Sequence, residues 1–446
     1  MPSIYLMFSI SIRCTRCYCA IFTMQRNNFV GDKQKQFLTK EEVLEVSTPL
    51  PLWRNRDYLL LWSGQIISQT GSQVSQLAFP LLILALTHSP AQAGIAAALR
   101  TIPYLVLSLP AGALVDRWDR KKLMIFCDLG RFLSMTSILL ALFLGHLTII
   151  QVYLVSILEG TFFVFFDLAE VSSLPQVVSK EQLPAASAQN IATMNIAMLL
   201  GSPLGGLLYS ANWAFPFLAD TVSYLCSVLS LFFVRTSFQQ EHARSSRALR
   251  IEVKEGLKWL WEHRLIRSLA ILICGLNFMT GGITLVIIVL GQHVHASAVE
   301  IGVLLSVAGI AGVLGSLVAP LLRRRLSFSA IAIITLWAQA LLSPLLILAP
   351  NLLVIAILLS LLFFLFPIFD VVQRSLRMAL IPDALQGRIN SIYRLIAFSS
   401  NPISLALTGF LLQSKGTTFT ILFMAGGLLF LALAATFNPH LRRVDA

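Results

Sequence analysis

Charged residues are scarce in this chain. They make up 12% of its 446 residues, whereas 57% of the residues are hydrophobic and the mean hydropathy is +0.79. Soluble globular domains carry about 25% charged residues. The composition therefore excludes an ordinary soluble domain and indicates a protein that lies mostly in lipid.

The sequence also has little that supports catalysis or metal binding. It contains no Gly-x-x-x-x-Gly-Lys-Ser/Thr loop, which ATP hydrolysis of that type needs. All seven histidines fall on predicted turns, linkers or tails, so none is available as a base at membrane depth. Cys14, Cys17 and Cys19 lack a second ligand pair at the spacing of a zinc site. We therefore expect no enzymatic activity, no cofactor and no metal.

Long apolar runs occupy most of the chain from Tyr58 to Phe437. Each of them is about 20 residues long or longer, which is enough to cross the hydrocarbon core of a bilayer. A spanning segment must satisfy its own backbone groups, so each is predicted to be a helix. The twelve predicted spans are residues 58–86, 91–114, 123–145, 148–170, 187–209, 213–234, 268–291, 300–322, 327–349, 351–372, 389–412 and 417–437.

The two halves of the chain repeat each other at an offset of 203 residues. The segment GALVDRWDRKK, which begins at Gly112, aligns without a gap with GSLVAPLLRRR, which begins at Gly315. Asp167 recurs as Asp370 at the same offset, each after a phenylalanine. A parallel repeat in a membrane protein predicts two bundles related by an axis along the membrane normal. The predicted fold class is an all-α membrane protein with twelve transmembrane helices in two six-helix bundles.

These spans divide the chain into five regions. They are a mobile amino-terminal tail (1–52), an amino-terminal bundle (53–235), a linker (236–267), a carboxy-terminal bundle (268–437) and a short tail (438–446). The linker contains an amphipathic stretch with Leu257, Leu260 and Trp261 on one face, which suits a helix at the membrane interface. A plain solvated linker helix is the alternative. Met24 is an alternative start of the chain.

The net charge of +12 follows the predicted topology. Six of the 33 basic residues precede Trp53; of the rest, only Lys415 lies on a turn after an odd-numbered span. Because cytoplasmic turns carry the excess of Lys and Arg, both termini are predicted to be cytoplasmic. The cations therefore indicate orientation and predict no nucleic-acid partner.

Several motifs resemble the major facilitator superfamily, over about residues 54–437. The loop from Gly112 to Lys121 resembles the signature between helices 2 and 3 of that superfamily, with Asp119 where a glycine is usual. Other stretches look like its drug- and siderophore-exporter branch, which includes macrolide-efflux and enterobactin exporter proteins. They are Trp62-Ser-Gly64-Gln65, Leu183-Pro-Ala-Ala186, Glu255-Gly-Leu257 and Pro382-Asp383. The segment Gly201-Ser202-Pro203 departs from the superfamily's antiporter motif by one position.

The resemblance implies the major facilitator fold and alternating access. It also implies export of an amphipathic small molecule (a drug, a macrolide-like compound or a siderophore-like metabolite), driven by proton entry. The implied partners are this substrate, protons and membrane lipid, in a monomer of the bacterial cytoplasmic (inner) membrane. Uptake or uniport by the same fold is one alternative, and a non-transporting membrane receptor or scaffold is another.

Charged residues near the basic turns are the gating candidates. Asp116, Arg117 and Arg120 follow Gly112 at the end of span 2, and such a cluster can hold helices together and release them. Positive-inside topology alone is the alternative explanation. The remaining gating candidates lie on spans 3, 4 and 10: Asp128 and Arg131, three residues apart and able to face each other, and Asp167 and Asp370, with Arg394 or Arg131 as possible partners.

Ionisable residues inside spans are costly and indicate function. Arg100 on span 2 and Glu159 on span 4 lie at nearly the same predicted depth, at about 1.5 Å per residue. We expect them to pair and regard them as proton-coupling candidates; a static structural pair is the alternative. Asp220 is interpreted as structural or as a partner of Tyr224. Glu170 is interpreted as a solvated loop charge.

Span 1 carries a stripe of amide side chains. Their steps of four, four and three residues place them on roughly one helix face, which should face protein or a water-filled cavity. They are the substrate-path candidates: Gln65, Gln69, Gln73 and Gln76.

Overall fold

The computed structural model describes residues 51–236, 238, 249–382 and 385–442, and all regular structure within these ranges is helical. The predicted amino-terminal tail up to residue 50, the polar part of the linker (239–247) and residues 443–446 lie outside the described residues. So does Asp383 of one of the quoted motifs.

Six long helices form the amino-terminal half and match the first six predicted spans. They are α1 (Arg56–Thr87), α2 (Pro90–Val115), α3 (Arg120–Phe143), α4 (Ile149–Val177), α5 (Leu183–Ala211) and α6 (Phe215–Phe233). The linker contributes α7 (Leu249–Glu262), which confirms that this stretch is helical.

The carboxy-terminal half supplies the other six spans with more interruptions. Its elements are α8 (Arg264–Thr280), α9 (Ile283–His293), α10 (Ala298–Arg323), α11 (Phe328–Leu342) with a 3-10 turn (Ser343–Leu348), α12 (Leu352–Leu380), α13 (Gln386–Phe398), α14 (Asn401–Phe437) and the short α15 (Pro439–Arg442). Predicted span 7 is thus split into α8 and α9, and α13 runs into the first part of α14 as span 11.

Twelve crossings follow from this arrangement, as predicted. Within the part of the chain that the structure describes, ten helical stretches have the length and hydropathy to cross a membrane, and the last of these, Ile389–Phe437, is 49 residues long. It contains two spans, because Gly416 within it adopts a left-handed backbone conformation (φ 81°) that breaks the helix. The 26 residues of α2 make the twelfth span.

Short polar side chains define where the spans begin. The side chains of Asn55, Ser89, Thr148 and Asn351 each accept a hydrogen bond from a backbone N–H in the first turn of their helices. Ser297 forms a capping box with Glu300. These caps satisfy amide groups that have no partner within the helix, so the start of each of these five spans is set locally.

The internal repeat is present in the structure. Both α4 and α12 are 29 residues long, and both of their ends are related by the offset of 203 residues. The predicted end of span 4, at residue 170, was too early by about two turns, because the helix continues to Val177.

Hydrophobic packing differs between the two ends of the molecule. We call the end with the turns 116–119, 178–182 and 324–327 the basic end. At the opposite end, one hydrophobic cluster joins the two halves; it includes Leu82 and Met135 from the first and Val286, Leu304 and Met424 from the second. At the basic end, the described residues form two separate clusters, one in each half. The halves therefore share a core only at the opposite end.

Glycines allow the halves to approach closely. A Cβ atom on Gly302 of α10 would lie 2.5 Å from the carbonyl oxygen of Ser202 on α5. A Cβ atom on Gly94 of α2 would lie 2.9 Å from the Cα atom of Gly409 on α14. These contacts bring backbone against backbone, a packing mode common between helices in membranes.

Candidate functional site

The amino-terminal half contains a buried charge cluster, formed by Ser72, Asp128, Arg131, Glu159, Asp220 and Tyr224 from α1, α3, α4 and α6. The Nε of Arg131 lies 3.4 Å from Oε2 of Glu159, and its NH1 lies 3.7 Å from Oδ1 of Asp128. Both acids are fully buried and Arg131 is only 3% exposed. The facing of Asp128 and Arg131 is thus confirmed, at a depth where no water screens the charges.

The hydroxyl groups of Ser72 and Tyr224 form hydrogen bonds with Arg131 and Glu159. Arg131 donates from NH2 to Oγ of Ser72 at 3.1 Å, and its guanidinium carbon lies 4.2 Å from the ring centroid of Tyr224. The hydroxyl of Tyr224 donates to Oε2 of Glu159 at 3.1 Å. The cluster therefore holds three carboxyl groups around one guanidinium. Three of their oxygens, Oε1 of Glu159 and both oxygens of Asp128, have no hydrogen-bond partner among the described residues.

The predicted pair between Arg100 and Glu159 is wrong in this conformation. Glu159 pairs with Arg131, and no ion pair within 4.0 Å joins it to Arg100 in the described chain. The matched depth was right: a Cβ atom on Gly160 would lie 2.0 Å from the carbonyl oxygen of Arg100. The two helices touch at this level, but the half-buried Arg100 side chain does not reach the carboxyl group.

The interpretation of Glu170 needs correction, and so does one of the two alternatives for Asp220, the partnership with Tyr224; a structural role of Asp220 stays a prediction. Asp220 accepts hydrogen bonds from Ser75 at 2.5 Å and from Ser223 at 3.3 Å, whereas Tyr224 bonds to Glu159. Glu170 is not a solvated loop charge: it lies inside α4, is 8% exposed and accepts a hydrogen bond from Nδ2 of Asn190 at 3.4 Å. The sequence interpretation missed it because span 4 was ended too early.

The signature loop contains a short ion-pair network. NH2 of Arg120 lies 3.2 Å from Oδ1 of Asp116, and its NH1 donates to the carbonyl of Ser172 on α4 at 2.8 Å. The unusual Asp119 caps α3, because its side chain accepts from the backbone N–H of Lys122 at 3.1 Å. Arg117 is exposed. Arg120 thus links the loop to α4 within the same half.

The repeat-related aspartates lie near the basic end, in different surroundings. Asp370 on α12 pairs with Arg374 at 3.0 Å and accepts from Gln373 at 3.0 Å. Asp167 on α4 is half-buried. NH2 of Arg394 donates to the hydroxyl of Tyr104 at 2.7 Å, a contact between α13 of the second half and α2 of the first.

An apolar cavity of about 650 Å³ lies mainly in the carboxy-terminal half. Its wall comes from α8 to α12 and α14, with Asn195, Met198 and Leu199 of α5 from the other half. Leu346 at one end is 2% exposed. Arg374 at the other end has a side chain that is 62% exposed. The cavity therefore opens toward the basic end, and its volume is in the range of drug-sized ligand sites.

The four glutamines of span 1 do not line this cavity. Gln65 is buried, Gln69 and Gln73 are half-buried, and Gln76 is exposed. A Cβ atom on Gly201 of α5 would lie 2.3 Å from the Cβ of Gln73, so part of the stripe packs on α5. Their role in the substrate path stays a prediction.

Comparisons with known proteins agree with this fold. The model of the Major Facilitator Superfamily matches residues 61–404. The multidrug efflux pump Tap of Mycolicibacterium fortuitum is 26% identical over 401 residues, covering 87% of this chain and 97% of that protein. The enterobactin exporter EntS of Citrobacter koseri is 25% identical over 338 residues, covering 75% of this chain and 80% of that protein.

A solved relative of the same fold exists in two conformations. The inward-facing structure of a bacterial homologue of the iron transporter ferroportin has a TM-score of 0.69 at 16% identity, covering 87% of this chain and 99% of its own. The outward-facing structure has a TM-score of 0.57 at 17% identity, covering 85% and 98%. The family model spans most of the sequence, and the chain belongs to the Major Facilitator Superfamily, as the resemblance implied.

Proposed function

We propose that this transporter exports an amphipathic small molecule from the bacterial cytoplasm in exchange for protons. The observation that carries the proposal is the division of chemistry between the halves. One half lines an apolar cavity of about 650 Å³, and the other buries three carboxyl groups around one guanidinium. The cavity suits a drug, a macrolide-like compound or a siderophore-like metabolite, and Tap and EntS are both named as exporters.

Alternating access is supported by the uneven packing of the two ends. The common core at the opposite end closes the cavity there, while the separate cores at the basic end leave it open. Since basic turns favour the cytoplasmic side, we take the basic end and both termini as cytoplasmic. The conformation is then inward-facing, the state in which an exporter takes up its substrate. The proposed bundles are residues 53–235 and 268–437.

Proton coupling is assigned to the buried charge cluster, with Glu159 as its central acid. A carboxyl group at this depth is costly when charged unless a cation compensates it. Movement of Arg131 away from Glu159 would therefore favour proton uptake, and its return would favour release. Arg100, whose backbone packs on Gly160, stays a candidate second partner in the other conformation.

The gate is assigned to the basic end. There the ion pair of Asp116 and Arg120 lies next to exposed Arg117 and to Gly112, around which a Cβ atom would meet no neighbour within 4 Å. This free surface is available to the second half when the basic end closes. Asp167 and Asp370 flank the same opening and complete the proposed gate, with Arg394 as the mobile cation between the halves.

Glu159→Gln tests the coupling. Inverted membrane vesicles that contain the protein should accumulate rhodamine 6G when the lumen is made acidic, because protons then leave the lumen as the dye enters. In the variant this flux should fall at least about tenfold while binding is retained. Glu181→Gln, a change of an exposed carboxyl group on the turn after α4, is the matched control. If Glu159→Gln still concentrates the dye, Glu159 is not part of the coupling. If the unmodified protein moves no dye, export of this class of substrate is rejected.

Thiol labelling tests the orientation. In a variant without native cysteines, a cysteine at Ser414 should react with an impermeant reagent in intact cells, and a cysteine at Glu181 should not. Both positions are exposed: Glu181 lies on the turn after α4, and Ser414 lies in α14 beside the break at Gly416. They lie at opposite ends of the molecule, so the two cysteines test the two sides of the membrane. Reversed labelling would reverse the proposed direction of transport.

A further inference from the structure

Gln339 is an unusual residue for the wall of an apolar cavity. It lies on α11, is only 3% exposed and lines the cavity of about 650 Å³. Its Nε2 has no hydrogen-bond partner among the residues that the structure describes. A buried donor without a partner costs roughly 1–3 kcal/mol, so a purely structural role does not account for it.

The cavity's hydroxyl groups already have acceptors. The side chain of Thr280 donates to the carbonyl of Leu276 at 2.8 Å, and that of Ser343 donates to the carbonyl of Ala340 at 3.4 Å. Ser316 and Ser375 bond in the same way to carbonyls of their own helices. These hydroxyls therefore have no donor left for a ligand, in contrast to Gln339.

The same cavity is lined by the break in span 7. Gly281 and Gly282 interrupt the span, and a Cβ atom on Gly282 would lie 2.2 Å from Oγ1 of Thr408. Helix α9 begins after the break with no side-chain cap, and its first residue, Ile283, lines the cavity. The positive end of a helix dipole therefore lies at the cavity wall, as in other transporters with discontinuous helices.

We propose that Gln339 is a specificity-determining residue, which donates a hydrogen bond from Nε2 to an acceptor oxygen on the apolar part of the substrate. The substrate class narrows to amphipathic molecules that carry a carbonyl or similar oxygen at the end that enters the cavity first. The uncapped start of α9 favours the same group, since it also attracts partial negative charge. This inference rests on the proposed function, because it assigns the cavity to the substrate.

Binding of two lipophilic cations to the purified full-length protein tests the inference. Rhodamine 6G has an ester carbonyl that accepts a hydrogen bond, and tetraphenylphosphonium has no hydrogen-bonding group. Gln339→Leu should lower the affinity for rhodamine 6G by about tenfold, the loss of one buried hydrogen bond, and leave the affinity for tetraphenylphosphonium unchanged. The melting temperature of the ligand-free variant should be equal or higher, because the unpaired amide is gone.

Two further variants make the result decisive. Gln339→Met has nearly the same length and should behave as Gln339→Leu does. Thr335→Val, four residues earlier on α11 and outside the cavity wall, removes a buried hydroxyl whose donor already has an acceptor and should change neither affinity. An equal loss for both probes, or no loss for rhodamine 6G, would overturn the role of Gln339 and leave the proposed function standing. If the unmodified protein binds neither probe, the assignment of the cavity to such substrates fails, and this inference fails with it.

Discussion

The two halves of this protein share a scaffold and differ in what they bury. Helices α4 and α12 have the same length and are related by the offset of 203 residues. In the first half, this scaffold holds Asp128, Arg131 and Glu159. At the same offset, the second half has aliphatic side chains: Ile331, Ile334 and Leu362. The repeat therefore preserves the length of these helices and does not preserve the buried charged residues.

Under the proposed function, this difference assigns two tasks to the two halves of one fold. A guanidinium in lipid must be paired, so the first half depends on contacts between particular charges. The proposed substrate cavity of the second half would select mainly by size and shape, since its wall is mostly apolar. The proposed coupling would then act through the contacts between the halves, at α2 with α14 and at α5 with α10.

The largest effect is expected from removal of the cation in the first half. Arg131→Leu leaves buried carboxyl groups without their partner and should destabilise the protein by about 3–5 kcal/mol. The amount of monodisperse protein that survives mild heating in detergent should fall sharply. Ile334→Leu, at the equivalent position of the second half, is the control and should have little effect. Equal heat resistance of the two variants would contradict the charge cluster as described.

A triple variant sharpens the same comparison. Asp128→Ile, Arg131→Ile and Glu159→Leu together give the first half the residues of the second. Of the charged groups of the cluster, only Asp220 is then left, and it keeps its hydrogen bonds to Ser75 and Ser223. Heat resistance should therefore return most of the way to that of the unmodified protein. Proton-driven flux in vesicles should be absent. A stable triple variant that still pumps would show that the halves do not divide the tasks.

The next largest effect is expected from a substitution at the contact between the halves. Gly302→Ala places a Cβ atom 2.5 Å from the carbonyl oxygen of Ser202. Such overpacking forces the two helices to shift and destabilises their contact by about 1–3 kcal/mol. The closed end should open more often, and transport should fall by about tenfold. A cysteine at Leu304, which is 3% exposed, should react faster with a thiol reagent. Gly426→Ala on α14 is the control: a Cβ atom there would meet no neighbour within 4 Å, so neither measurement should change.

A moderate effect is expected at the signature loop. Asp116→Asn removes the ion pair with Arg120, in which the side chain of Asp116 is exposed. Exposed pairs of this kind contribute about 0–1 kcal/mol to stability. Transport should therefore fall only severalfold, with normal abundance in the membrane. Arg324→Gln on the equivalent turn of the second half should have no effect. If flux falls only in proportion to abundance, the loop serves topology and not the gate.

The smallest effect is expected on the glutamine stripe. Gln76 is exposed, and at the same offset the second half has Met279, which lines the cavity. Gln76→Met should shift the inhibitory concentrations of a drug panel by about threefold at most, because only one exposed polar contact is lost. The shift should be largest for polar compounds. An unchanged panel would remove Gln76 from the substrate path.

Prediction from the sequence succeeded where a one-dimensional signal was sufficient. The predicted apolar runs match the helical spans, and the glycine at position 416 separates the last two of them. It failed at the end of α4, since the residues after Glu170 are less apolar and resemble a loop. Glu170 was therefore placed in water, although the helix continues and Asn190 of α5 covers it.

Residue order alone decided the number of spans, the parallel repeat and the matched depth of Arg100 and Glu159. The reason is that every spanning helix crosses the same hydrocarbon thickness. The depth of a residue therefore follows from its number of residues from the end of the span. The partner of Glu159 was decided by tertiary structure. Arg100 and Arg131 both lie within reach in depth, but only the rotation of each helix about its axis and the choice of its neighbours bring a side chain to the carboxyl group. Those two quantities depend on how α1, α3, α4 and α6 pack together, which no single segment contains.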